Sequence, residues 1–161
     1  IHLDPHLQIN VLNPPAHLYE GTRSDLNNNS IVMQIRYGQV VFLLTGDAEE
    51  EALSNLAAAV PVAGSPVADL RADVLKAPHH GSATSTDAGF AKLVAPRFVV
   101  ISVGRNSFGH PAPETLKFWR DRGATVLRTD EAGAIIFETD GERLSLKTPA
   151  PQSSQVAISA S

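Results

Sequence analysis

Three short segments carry side chains suited to metal binding or proton transfer: Thr45-Gly46-Asp47, Pro78-His79-His80-Gly81-Ser82 and Asn106-Ser107-Phe108-Gly109-His110-Pro111. The chain contains no cysteine, so a Zn²⁺, Mn²⁺ or Fe site would have to be built from His and carboxylates. An adjacent His pair is scarce, and together with an Asp it points to a metal site. Each segment also has a structural reading. Asp47 stands before an expected helix with Glu50 three residues on, which is the spacing of a capping residue. His79 and His80 can cap backbone groups of a loop, and His110 can be a solvated turn residue ahead of a helix opened by proline.

These residues can meet only if strands end beside them. Gln8 to Leu12 reads as a strand, followed by a long polar loop through Asn27-Asn28-Asn29. Ser30 to Tyr37 and Gln39 to Thr45, separated by Gly38, have the β-rich pattern of a hairpin leading into a buried strand that ends at Gly46-Asp47. Ala48 to Val60 has helical spacing of apolar residues and stops before Pro61. Pro61 to Ala68 reads as a loop. Ala72 to Ala77 is a short strand whose exit is set by Pro78, since a residue before proline is pushed toward extended geometry. Thr86 to Val94 is expected as a helix, Phe98 to Val103 as a strand, and Pro113 to Arg122 as a helix bounded by Pro113 and Gly123. Val126-Leu127, Ala134 to Glu138 and Leu144 to Leu146 follow as short strands, resembling an antiparallel edge. The pattern predicts an α/β fold with helices on a sheet and the three segments at strand ends, where layered α/β folds build their sites. There is no internal repeat, and residues 147–161, rich in Pro, Ser, Ala and Gln, read as a disordered tail after a domain over 1–146.

The order of these motifs resembles a known family. Leu43-Leu44-Thr45-Gly46-Asp47, then Ala72-Asp73-Val74-Leu75-Lys76-Ala77-Pro78-His79-His80-Gly81-Ser82, then Val100-Ile101-Ser102-Val103-Gly104 with Asn106 and Gly109-His110-Pro111, look like the second half of a metallo-β-lactamase-fold hydrolase. The nearest resemblance is to the C-terminal domain of ComEC-type competence proteins, supported by Asn28-Asn29-Ser30-Ile31-Val32 and by Gly123 to Asp130 with Gly133-Ala134. It extends over about residues 10–146.

The resemblance implies an αβ/βα sandwich (α/β, α+β in some schemes) of which this chain is mainly the C-terminal half. It implies two divalent metal ions, Zn²⁺ or Mn²⁺, at the sheet edge, and hydrolysis of a phosphodiester, ester or lactam. Asp47 matches the bridging carboxylate. One of His79 and His80 matches the late histidine ligand; because neighbours at a strand end point to different sides, His80 is expected to ligate and His79 to contact substrate. Gly81, Ser82 and Asn106 are expected at the phosphate, and His110 to protonate a leaving oxygen or hold a phosphate. The family's opening His-x-His-x-Asp-His run is absent from the sequence, and His2, His6 and His17 lack its spacing. The chain, which starts at Ile1, is expected to be part of a longer protein carrying that run in the missing half of the domain, and to be inactive in isolation. In ComEC-type proteins the domain accompanies a membrane channel, which implies a soluble domain on the non-cytoplasmic face with single- or double-stranded DNA as substrate. A catalytically silent structural or DNA-contacting half-domain, or a free metallohydrolase of small esters or lactones, are the alternatives, and a free enzyme would be cytoplasmic.

Composition bounds these readings. With 161 residues, 43% apolar and 19% charged, the chain can bury one core, and its longest strongly apolar run, Val40 to Leu44, is far short of the roughly 18 residues of a membrane span. Its formal charge of −4 argues against a general polyanion binder. DNA contact would therefore need a local basic strip, for which Arg71, Lys76, Lys92, Arg97 and Arg105 are the candidates beside the His loops.

Overall fold

The computed structural model describes residues 4–60 and 69–147. The loop Pro61 to Ala68 and the tail beyond Lys147 lie outside the described residues. The framework is a six-stranded sheet in sequential order, β1 (Leu7–Asn13), β2 (Val32–Tyr37), β3 (Val40–Leu44), β4 (Val74–Lys76), β5 (Phe98–Ile101) and β6 (Thr125–Arg128). The first three strands are antiparallel and β3 to β6 are parallel. This is the expected α/β class. Helices α2 (Glu50–Ala59), α3 (Ala88–Val94) and α4 (Pro113–Arg120) supply the crossovers that parallel neighbours require.

Strand alternation decides which face the helices cover. Val41 and Leu43 of β3, Leu75 of β4, and Val99 and Ile101 of β5 are buried in one cluster with Leu53 and Leu56 of α2, Phe90 and Val94 of α3, and Trp119. Phe42, Phe98 and Val100 point to the other face and are half-buried. There Phe137 meets Phe42 and Phe98 at ring centroid distances of 6.2 and 5.3 Å. Phe137 belongs to β7 (Phe137–Thr139), which among the described residues pairs only with β8 (Leu144–Leu146). Of the late strands, Val126-Leu127 thus joins the main sheet as parallel β6, and the last two form a separate antiparallel ribbon, because their few apolar side chains are used on the second face.

The segment expected as a polar loop contains a short helix, α1 (Asp25–Asn28), and α5 (Thr129–Ala132) follows β6. Among the described residues no helix is long and apolar enough to cross a membrane.

Candidate active site

The C-terminal ends of β3, β4 and β5 lie side by side, which brings Asp47, the His79-His80 turn and Ser102 together. The loop after β3 is fixed from several directions. Thr45 Oγ1 donates to the Lys76 carbonyl at 2.7 Å, the Asp47 N–H donates to Ser30 Oγ at 3.1 Å, and the Gly46 carbonyl accepts from both Lys76 Nζ (2.8 Å) and the His79 N–H (3.1 Å). Gly46 has φ +54, and a Cβ there would lie 2.9 Å from Ser30 Cβ, so the loop requires glycine at this position. Burial pushes the Lys76 ammonium below the usual lysine range, and the charge of Asp47 opposes that shift.

The histidine turn is left-handed over three successive residues: His79 at φ 43, His80 at φ 53 and Gly81 at φ 79. Each non-glycine residue in this region costs about 1–2 kcal/mol. A Cβ on Gly81 would lie 2.8 Å from Pro111 Cβ, and the Gly81 carbonyl accepts from the Ala112 N–H at 2.9 Å, so the turn seats tightly on the third segment. The two histidines take different partners, His79 beside Glu49 and His80 beside Asp47 and Ser102. Strand alternation does not apply to a left-handed turn, and the two ring centroids are 6.5 Å apart in one cluster with His110, itself 5.4 Å from His79.

His80 Nδ1 lies 2.6 Å from the Ser102 carbonyl. A carbonyl can only accept, so the proton sits on Nδ1 and a neutral ring presents the Nε2 lone pair. That Nε2 is 3.5 Å from Asp47 Oδ1, with both side chains close to half exposed. This separation leaves room for a proton or a metal ion between the ring nitrogen and the carboxylate oxygen. Two N/O ligands about 2.0–2.1 Å from one tetrahedral ion stand about 3.4 Å apart, so the pair fits a shared ion. Among the described residues, no group of three or more His, Asp or Glu side chains converges to hold a metal.

The capping reading of Asp47 is overturned. The start of α2 is capped from a distance by Asn28, whose Oδ1 accepts from the N–H groups of Glu49 (3.2 Å) and Ala52 (3.3 Å). Asn28 is fully buried, and its Nδ2 donates to Thr22 Oγ1 and Glu51 Oε2. Asn27 Nδ2 donates to Glu49 Oε1 at 2.7 Å. The same oxygen stands 3.2 Å from His79 Nδ1, close enough for an ion pair but not aligned as a hydrogen bond. Glu49 was missed by sequence reasoning because Glu49, Glu50 and Glu51 look alike as first-turn acids; only the fold buries the first of them behind His79.

The other expected residues are nearby. Ser82 is buried and its hydroxyl is within hydrogen-bond distance of Thr84 Oγ1 at 3.0 Å, while its carbonyl accepts from Thr115 Oγ1. Asn106 uses its amide on its own loop: Nδ2 donates to the Gly104 and His110 carbonyls, and Oδ1 accepts from the Phe108 and His110 N–H groups. It thereby holds His110 in position. Burial, then the neighbouring His79 and His80, push the His110 imidazole below the ordinary histidine range, which favours the neutral ring. The expected basic strip is split, because Arg71 and Arg97 precede β4 and β5 and so lie at the opposite end of the sheet from the His turn.

No protein-family model matches the chain. It is 35% identical over 132 residues to ComE operon protein 3 of Bacillus subtilis (strain 168), covering 81% of this chain and 16% of that protein. It is 33% identical over 114 residues to competence protein ComA of Neisseria gonorrhoeae, covering 70% of this chain and 16% of the relative. The chain therefore spans about a sixth of the length of the relatives it matches.

Proposed function

We propose, for a chain whose homologues indicate a competence, DNA-uptake family, that these residues form part of a metal-dependent phosphodiesterase acting on incoming DNA. The observation that carries this reading is the Asp47–His80 pair, 3.5 Å apart, with the second nitrogen of His80 held by the Ser102 carbonyl. Asp47 and His80 would hold a divalent ion, Zn²⁺ or Mn²⁺, with the remaining ligands supplied by the rest of the protein. Bound divalent ions supply a water acidified to near-neutral pKa and positive charge beside the phosphate oxygens. The Ser102 carbonyl keeps the proton of His80 on Nδ1 and its Nε2 available. Glu49 Oε1 stands beside His79 Nδ1 at 3.2 Å, and His110 lies next to His79, where its ring would exchange a proton with, or hold, a phosphate oxygen. In this reading the domain faces the non-cytoplasmic side of the membrane.

A second reading, a folded module without turnover, is favoured by the convergence of only two ligands among the described residues. DNA cleavage by the complete protein separates the two. Cleavage that requires Mn²⁺ or Zn²⁺ and stops in excess EDTA is expected of the phosphodiesterase. Absence of cleavage with either metal supports the silent module, and cleavage unchanged by EDTA contradicts the metal chemistry.

A further inference from the structure

At the strand ends opposite the His turn, a pocket of about 310 Å³ is lined by Arg36, Arg71 and Arg97 together with Gln39, Asp69 and Asp73. Three guanidiniums around one cavity are unexpected in a chain of formal charge −4. Two of the three, Arg36 and Arg97, are ion-paired with these carboxylates, but only at long range. Asp69 Oδ1 accepts from the Arg71 backbone N–H at 2.9 Å, and its Oδ2 stays 3.7 Å from Arg36. Asp73 Oδ2 accepts from the Val41 N–H at 3.0 Å, and its Oδ1 stays 3.9 Å from Arg97. Each carboxylate is thus committed to the backbone through one oxygen and faces an arginine with the other beyond hydrogen-bond distance. Among the described residues the Arg71 guanidinium has no hydrogen-bond or ion-pair partner, while Arg97 is steadied over the Phe98 ring at 5.6 Å.

We infer that this pocket binds a phosphate group carried on a ligand of nucleotide size. Guanidinium forks match phosphate oxygens, and three of them suit a group with more acceptors than a carboxylate. The volume is at the lower end for small-ligand sites and exceeds what a bare phosphate fills. The site stands at the far end of the sheet from Asp47 and His80, and it does not depend on whether that pair supports turnover.

Binding is measured on the complete protein by calorimetric titration with inorganic phosphate, deoxyadenosine monophosphate and a short oligothymidylate lacking terminal phosphates. The mononucleotide is expected to bind more tightly than inorganic phosphate and to weaken as salt rises. Tighter binding of the oligothymidylate than of the mononucleotide overturns the nucleotide-sized ligand. The double variant Arg71→Ala/Arg97→Ala is expected to weaken the preferred probe about tenfold or more. Arg71→Lys, which keeps the charge and loses the fork, should weaken it less, and it serves as the test if the double variant fails to fold. Unchanged affinity in a folded double variant or, failing that, in Arg71→Lys, overturns the proposal, as does a failure of all three probes to bind.

Discussion

With the Nδ1 proton of His80 committed to Ser102, what lies between Nε2 and Asp47 depends on the charge of Asp47. Asp47→Asn keeps the shape and removes that charge. Since the carboxylate makes no bond to the start of α2, the substitution should change stability by at most about 0.5 kcal/mol in a urea melt. Turnover of DNA and affinity for Mn²⁺ should each fall roughly a hundredfold. A fully active variant would return Asp47 to a structural role. Glu49 makes a different test, because its contact is with His79 rather than with the Asp47–His80 pair. Glu49→Gln should lower kcat about tenfold or more while leaving KM and Mn²⁺ affinity nearly unchanged. Equal loss of metal affinity would instead make Glu49 a ligand.

The elements explain how much of this was readable. The hairpin, the helix after Asp47 and the strand–proline exit before His79 follow from local periodicity and turn chemistry, so they and the three segments at strand ends are legible in the sequence. The cap of α2 is not, because Asn28 is more than twenty residues from the start of that helix and reaches it only through tertiary packing. Nor is the left-handed turn, since nothing in a His-His-Gly triplet announces two non-glycine residues at positive φ; the contacts of Gly46, Ser102 and Pro111 impose it. The relation of the arginines to the histidines was misread for a similar reason, as residues either side of a short strand are near in sequence and at opposite ends of the sheet. Asn28 offers the test at this scale. Asn28→Ala leaves the Glu49 and Ala52 N–H groups and Glu51 without their partner, and should cost about 2–4 kcal/mol in equilibrium unfolding. A loss under about 0.5 kcal/mol would mean that α2 is capped in some other way.

At the scale of the molecule, the sheet carries its helices on one face and its candidate sites at both ends. The second face, with Phe42, Phe98 and Val100, is only partly covered by the β7–β8 ribbon. The chain spans about a sixth of the length of the relatives it matches. The central claim is that Asp47 and His80 share an ion, and anomalous diffraction from crystals of the complete protein grown with Mn²⁺ tests it most directly. The account predicts an anomalous peak about 2.0–2.3 Å from both Asp47 Oδ1 and His80 Nε2. A metal bound elsewhere, or no peak with His80 hydrogen-bonded directly to Asp47, would contradict it.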